Sequence, residues 1–197
     1  WATLTLRMLP ADAARMSALL SGDVQLVENV QANLVSQFRQ NRDLSVFDKV
    51  SSRVMFLYTD HRDSSPFVTD KGGRPLAKNP LKDARVRQAI SKLIDRKAER
   101  VLDRLAVPPA NIAAPGMFGF NPKLKPEAVD LAGARKLLAE AGYPEGFGLT
   151  LFGPNVRYIN DEQVVQAIGQ MLTRGGIATK VQVSPMSTYV GRGSKKD

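Results

Sequence analysis

Two hydrophobic periods alternate along this chain, and that alternation restricts the fold more than any single motif. "TLTLRML" (3–9) sets Leu4, Leu6 and Met8 against polar neighbours with period two, as a strand does. Pro10 ends it, and "ADAARMSALLSG" (11–22) switches to helical spacing, with Met16, Leu19 and Leu20 on one face and Gly22 placed to cap the end. "DVQLVENV" (23–30) reads as a strand and "ANLVSQFRQN" (32–41) as a short helix. "LSVFDKV" (44–50) and "RVMFLYTD" (53–60) read as two further strands. Strand and helix interleaved in this way is α/β grammar, with a mixed sheet flanked by helices.

The second part continues it. A loop rich in Asp, Ser, Pro and Gly over 61–82 leads into what reads as the longest helix, 80–102, with Val86, Ile90, Leu93, Ile94, Val101 and Leu102 at helical spacing. Pro80 suits the helix start, and Asp83 sits early, where the helix dipole favours an acid. A proline-rich stretch over 106–129 has no periodicity and reads as a long loop, which Phe118 and Phe120 either anchor to the core or turn toward a cleft. Then follow a helix over 130–142 with Asp130 as N-cap and Gly142 at its end, a strand over 147–153, a helix over 161–176, a strand over 178–185 and the start of another helix over 186–197.

Composition sets outer limits. The chain has 197 residues and is 43% hydrophobic and 24% charged, enough apolar sequence for a real core in one lobe-sized domain. No apolar run reaches the roughly 18–20 residues of a membrane span. It opens at Trp1 with neither an initiator Met nor a signal peptide and reads as a mature or excised piece. With no cysteine, thiolate catalysis, disulfides and cysteine-ligated metals are excluded. The single histidine, His61, excludes multi-histidine metal sites, and no serine stands in a G-x-S-x-G setting. Asp60, His61 and Asp63 are close in sequence but lie in a Ser/Pro-rich loop without a nucleophile motif, so a solvated turn is expected rather than an enzyme. No cofactor is expected.

The net charge is +9, which raises nucleic acid, anionic membranes and acidic substrates as partners. One dense cluster stands out: Arg85, Arg87, Lys92, Arg96, Lys97 and Arg100. A basic nucleic-acid-binding module is the rival reading, but no aromatic residues interleave these cations, as stacking on single strands requires. A solvated helix face or a docking face for another protein are the other readings.

The candidate binding residues lie in "FGPNVRYINDEQ" (152–163), between a strand and a helix, where open α/β sheets bind ligands. Asn160 reads as an N-cap with Gln163 as its capping-box partner. Asn155, Arg157 and Tyr158 are not needed for that. They offer an amide donor and acceptor, a five-donor fork and a flat ring with a hydroxyl, a set suited to a peptide-like or carboxylate-bearing ligand. The alternative is a polar loop that satisfies its own backbone.

These residues also carry a resemblance. "NPLKDARVRQAISKLIDRKA", "ALLSGDVQLVE" (18–28) and above all "ARKLLAEAGYP" (134–144), followed by the run through residue 185, resemble the extracytoplasmic solute-binding proteins of peptide and nickel ABC transporters, the family-5 or dipeptide/oligopeptide-binding type. The resemblance covers essentially the whole chain. It implies two α/β lobes that close on a solute, most often a short peptide, in the periplasm and deliver it to an ABC permease, with no enzyme activity and no nucleic acid. It implies that residues 1–197 form a single lobe, because the family's amino-terminal lobe with its G-T-G-P-Y signature is not in this sequence. It places Asn155, Arg157 and Tyr158 on the cleft-facing loop. In "P-x-S-x-Y-x-x-R" (185–192) it puts Met186 near an aromatic position of relatives, where packing is the alternative role. It puts Arg192 where a basic side chain pairs with a ligand carboxylate, the alternative being an exposed cation.

Overall fold

The computed structural model describes residues 2–96, 106–155 and 157–195. By its internal contacts the chain divides into two compact units, 1–48 and 49–197.

The first unit is built on two helices, α1 (Asp12–Leu20) and α2 (Ala32–Gln40). Ala32, Val35 and Phe38 of α2 are buried at helical spacing, whereas of the face expected for α1 Met16 is buried, Leu19 half-buried and Leu20 55% exposed, with Ala18 buried in their place. Gln31 Nε2 donates to Asp12 Oδ2 at 3.3 Å and ties the two helix starts together. The strands expected over 3–9, 23–30 and 44–50 do not form, and neither does the one over 53–60 in the second unit. Leu6, Met8 and Phe47 are 84, 93 and 92% exposed. The reason is physical: period-two alternation marks a segment with one apolar face, but a strand exists only where another strand takes up its N–H and C=O groups. No described segment does so for these four.

The second unit holds the sheet, in the order β1 (Val68–Thr69), β2 (Gly148–Asn155), β3 (Ala178–Pro185). β1 is antiparallel to β2, and β2 is parallel to β3 from Gly148 opposite Ala178 to Asn155 opposite Pro185. The sheet is therefore mixed, and helices pack around it, as the α/β grammar predicts. The parallel pair needs a crossover, and α5 (Asp161–Arg174) supplies it. The core joins Val68, Phe147, Leu172 and Ile177 of this unit to Val86, Ala89, Ile90 and Leu93 of α3 (Ala84–Leu93) and to Ala134 and Leu138 of α4 (Leu131–Glu140). α6 (Met186–Lys195) packs back on β2 and β3.

Side-chain caps set the starts of α3 and α4. Asp130 Oδ1 accepts from Gly133 N at 2.7 Å, the expected N-cap of α4. Gly142 takes φ 92°, open to glycine at no steric cost, and Tyr143 N closes onto Leu138 O at 2.8 Å. The helix expected over 80–102 is different. Pro80–Lys82 form a 3-10 turn, and Asp83 caps α3 by accepting from Arg85 N at 2.8 Å. Ile94 then turns to extended backbone, φ −87° and ψ 114°, so α3 stops at Leu93. Residues 97–102 of that expectation lie outside the described residues. Apolar spacing carried the expectation past the true end because Ile94 is still packed against the core after the helix stops.

Candidate functional site

Strand alternation sorts β2 into two faces. Leu149, Leu151, Gly153 and Asn155 lie on the side of α5, and a Cβ added at Gly153 would meet Val165 Cγ2 of α5 at 2.4 Å. Glycine is what lets the helix lie this close to the strand. Its first turn and the preceding loop are thereby held beside the carboxyl ends of β2 and β3. Thr150 and Phe152 are on the opposite face, where Phe67 meets Phe152 edge-on with ring centroids 5.0 Å apart.

Asp161 organises the loop. It is 5% exposed, and its carboxylate accepts three backbone N–H groups: Arg157 and Tyr158 at Oδ2 (2.9 and 3.0 Å) and Glu162 at Oδ1 (2.9 Å). Asn160 stands at the N-cap as expected, its carbonyl accepting from Val164 N at 3.0 Å, but its side chain does not do the capping. Asn160 adopts left-handed backbone, φ 54°, and its side chain makes no cap hydrogen bond to α5. The turn needs a residue tolerant of positive φ, which Asn is, and the neighbouring acid supplies the acceptors. A carboxylate at the positive end of a helix dipole was the available sequence signal for Asp161.

With its backbone held from Asp161, the loop presents Arg157 and Tyr158 outward, both exposed. Arg157 Cζ lies 5.2 Å from the Tyr158 ring centroid, and Arg53 Cζ lies 6.0 Å from the same centroid. At the foot of the loop Asn155 is half-buried, and its Oδ1 is shielded from water without a hydrogen-bond donor. A buried acceptor left unpaired is costly, and a solute N–H can meet this one only if its surroundings move aside.

Met186, half-buried, opens α6 directly after Pro185, the register partner of Asn155. The two predicted residues thus sit at the same end of adjacent strands. Arg192 is elsewhere. Its Cζ stands 5.6 Å from the Phe152 ring centroid, and it reaches Gln182 Oε1 at 3.4 Å, on the face opposite α5. There Phe67, Thr150, Phe152, Gln182 and Arg192 line a shallow depression of about 340 Å³. The five predicted residues therefore form two groups, a rim (Asn155, Arg157, Tyr158, Met186) and a flank (Arg192).

A family model described as bacterial extracellular solute-binding proteins, family 5 middle region, matches residues 1–197. The chain belongs to this family. The glutathione-binding protein GsiB of Pectobacterium atrosepticum is 29% identical over 185 residues, 93% of this chain and 32% of GsiB. GsiB of Escherichia coli K12 is 28% identical over 93% of this chain and 33% of its own length. Among solved structures, the periplasmic binding protein DppA of Helicobacter pylori with the peptide STSA has a TM-score of 0.67 at 25% identity, covering 94% of this chain and 33% of that one. A dipeptide-binding protein of Pseudoalteromonas with bound Met-Leu has a TM-score of 0.70 at 19% identity over 96% and 35%, a likeness of fold. The chain spans about a third of the length of the curated relatives it matches. The α/β fold and the family resemblance read from the sequence are both borne out.

In this family-5 chain the described members of the basic cluster make contacts within the fold. Arg85 pairs with Asp83 and donates to Glu140 O at 2.6 Å. Arg87 donates to Leu81 O and Lys82 O. Lys92 bridges Glu127 and Asp130 at 3.4 and 3.2 Å, and Arg96 donates to Ser91 O. Lys97 and Arg100 lie outside the described residues. The acid–base trio is likewise taken up. Asp60 accepts from Arg62 and from Ser65 Oγ at 2.6 Å, with the Arg62 hydrogen bonds foremost in holding its pKa at about 2, against an ordinary 3.8. Asp63 pairs with Lys82, and His61 Nε2 shares a hydrogen bond with Thr59 Oγ1. Phe118 anchors nothing, being fully exposed, while Phe120 is half-buried. Among the described residues no His, Asp and Glu group is arranged to hold a metal ion, and no helix is long and apolar enough to cross a membrane.

Proposed function

We propose that this chain is one solute-contacting lobe of a periplasmic receptor that captures short peptides for an ABC permease, and that it performs no catalysis. The observation that carries this is the rim at the carboxyl ends of β2 and β3. Asn155 holds an unpaired buried acceptor, and Arg157 and Tyr158 stand out from a loop whose own backbone is already satisfied by Asp161. A peptide matches that set, with an N–H for Asn155 and a carboxylate for the Arg157 fork. Met186 flanks the same rim as an adaptable apolar wall. Arg192 takes the ligand's acidic end only by leaving Phe152 and Gln182.

The names of relatives support a peptide, since GsiB is glutathione-binding and DppA holds STSA. The contacts of Arg85, Arg87, Lys92 and Arg96 within the fold weigh against the nucleic-acid reading, which no relative supports. Relatives three times longer support a companion lobe, contributed by the same polypeptide, that shuts on the solute by hinge closure. Calorimetric titration of the full-length protein with di- and tripeptides tests the reading. Binding in the micromolar range or tighter, weakened at least about tenfold by Asn155→Ala or Arg157→Gln, is expected. Binding that neither substitution changes would remove the rim from the site.

A further inference from the structure

We propose that Arg53 is a second anion-binding guanidinium of this seat, and that it selects solutes carrying an acidic side group in addition to a terminal carboxylate. The inference rests on the reading of the rim as a solute seat. Its starting point is the Tyr158 ring, which has the Arg157 guanidinium 5.2 Å and the Arg53 guanidinium 6.0 Å from its centroid. A ring quadrupole attracts a cation to its face and leaves the N–H edge of the guanidinium available to another partner. Among the described residues, neither Arg53 nor Arg157 forms an ion pair with a carboxylate.

The acids of the neighbourhood do not fill that role. Asp161 is buried and spends its oxygens on three backbone N–H groups, and Glu162 sits exposed in the first turn of α5 with no ion pair to either arginine. Two like charges on one ring repel each other, and an anion that reaches both offsets that repulsion. One guanidinium suffices for the single carboxylate of a neutral peptide. The second has work only if the solute brings a second negative group. Asn155, three residues before Tyr158, supplies the opposite polarity, an acceptor without a donor, so the seat distinguishes the N–H and the acidic parts of a solute.

Sequence reading missed Arg53 because it lies in a segment whose alternation pointed to a strand, far along the chain from the loop it faces.

The test is calorimetric titration of the full-length protein with Ala-Ala-Ala and Ala-Ala-Glu at low salt, where surface charge is least screened. The wild type is expected to prefer Ala-Ala-Glu by about tenfold, the size of one charge-assisted contact. Arg53→Gln is expected to abolish that preference while changing Ala-Ala-Ala affinity less than about twofold, and Arg53→Lys to restore part of it. Arg157→Gln weakens both peptides. Arg53 is exposed, so its variants keep the fold, and an unchanged melting temperature confirms this. Equal affinity of the wild type for the two peptides, or an equal loss for both in Arg53→Gln, overturns the role of Arg53 and leaves peptide binding standing. A wild type that binds neither peptide overturns both.

Discussion

Asp161 shows how one buried side chain can shape the rim proposed here as a solute seat. Three backbone N–H groups converge on a carboxylate that is almost out of solvent. Asp161→Ala leaves those donors unsatisfied and is expected to cost about 1–3 kcal/mol in urea unfolding, and to weaken peptide binding because Arg157 and Tyr158 lose their fixed backbone. Asp161→Asn keeps an acceptor and should cost less. Sequence reading found the polar crowding of this loop, its two outward residues Arg157 and Tyr158 and the half-buried Asn155 at its foot, because Asn, Arg and Tyr between two regular elements are conspicuous. It placed the N-cap at Asn160, where it stands, but gave the accepting side chain to Asn160 instead of Asp161. The usual N-cap residue types are the same for both, and only the backbone angle at position 160 separates them. Arg192 illustrates a different gap. Its family position was legible, but its partner Phe152 is forty residues away in sequence and becomes visible only through the strand register.

Among the elements, helices were legible and strands only in part. A helix satisfies its own backbone, so local apolar spacing announces it, as it does for α1, α2, α4 and α5, with a side-chain cap besides at α4. β2 and β3 were also recovered, since α5 links them within the sequence read. The four alternating segments before residue 61 have no such local partner. Two element-level predictions follow from close contacts. Gly153→Ala pushes a methyl into Val165 and is expected to destabilise the protein by about 1–3 kcal/mol in denaturant unfolding, with Val165→Ala in the same chain recovering part of it. The 60–79 loop is fastened by Asp60 to Arg62 and Ser65, and by Asn79 Nδ2, which donates to Asp60 O and Arg62 O at 2.8 and 2.9 Å. Folding holds Asp60 below its ordinary pKa. Its ionised form therefore adds stability at all pH values above about 3.8, and that contribution is lost as pH falls toward about 2. Acid titration of unfolding free energy should be less steep over that window in Asp60→Asn than in the wild type.

At the scale of the molecule, the separation between a fold and a complete receptor is measurable. If solute capture is shared between lobes, the 197-residue chain alone should bind a peptide at least about tenfold more weakly than the full-length protein, because half the contacts and the exclusion of water are lost. Equal affinities in calorimetry would locate the whole site on this chain. The sheet carries a further consequence. β3 lies at its end, and among the described residues no strand pairs with its outer side, although Thr179 N donates there to Thr173 Oγ1 at 3.2 Å. Thr179, Val181 and Val183 give it strong β character, and Lys180 stands exposed in their midst. An open strand of this kind invites a sister molecule to add on, and a lone cation is a known deterrent. Replacing Lys180 by Val should make concentrated samples cloud and scatter light sooner on warming, although no binding residue has been altered.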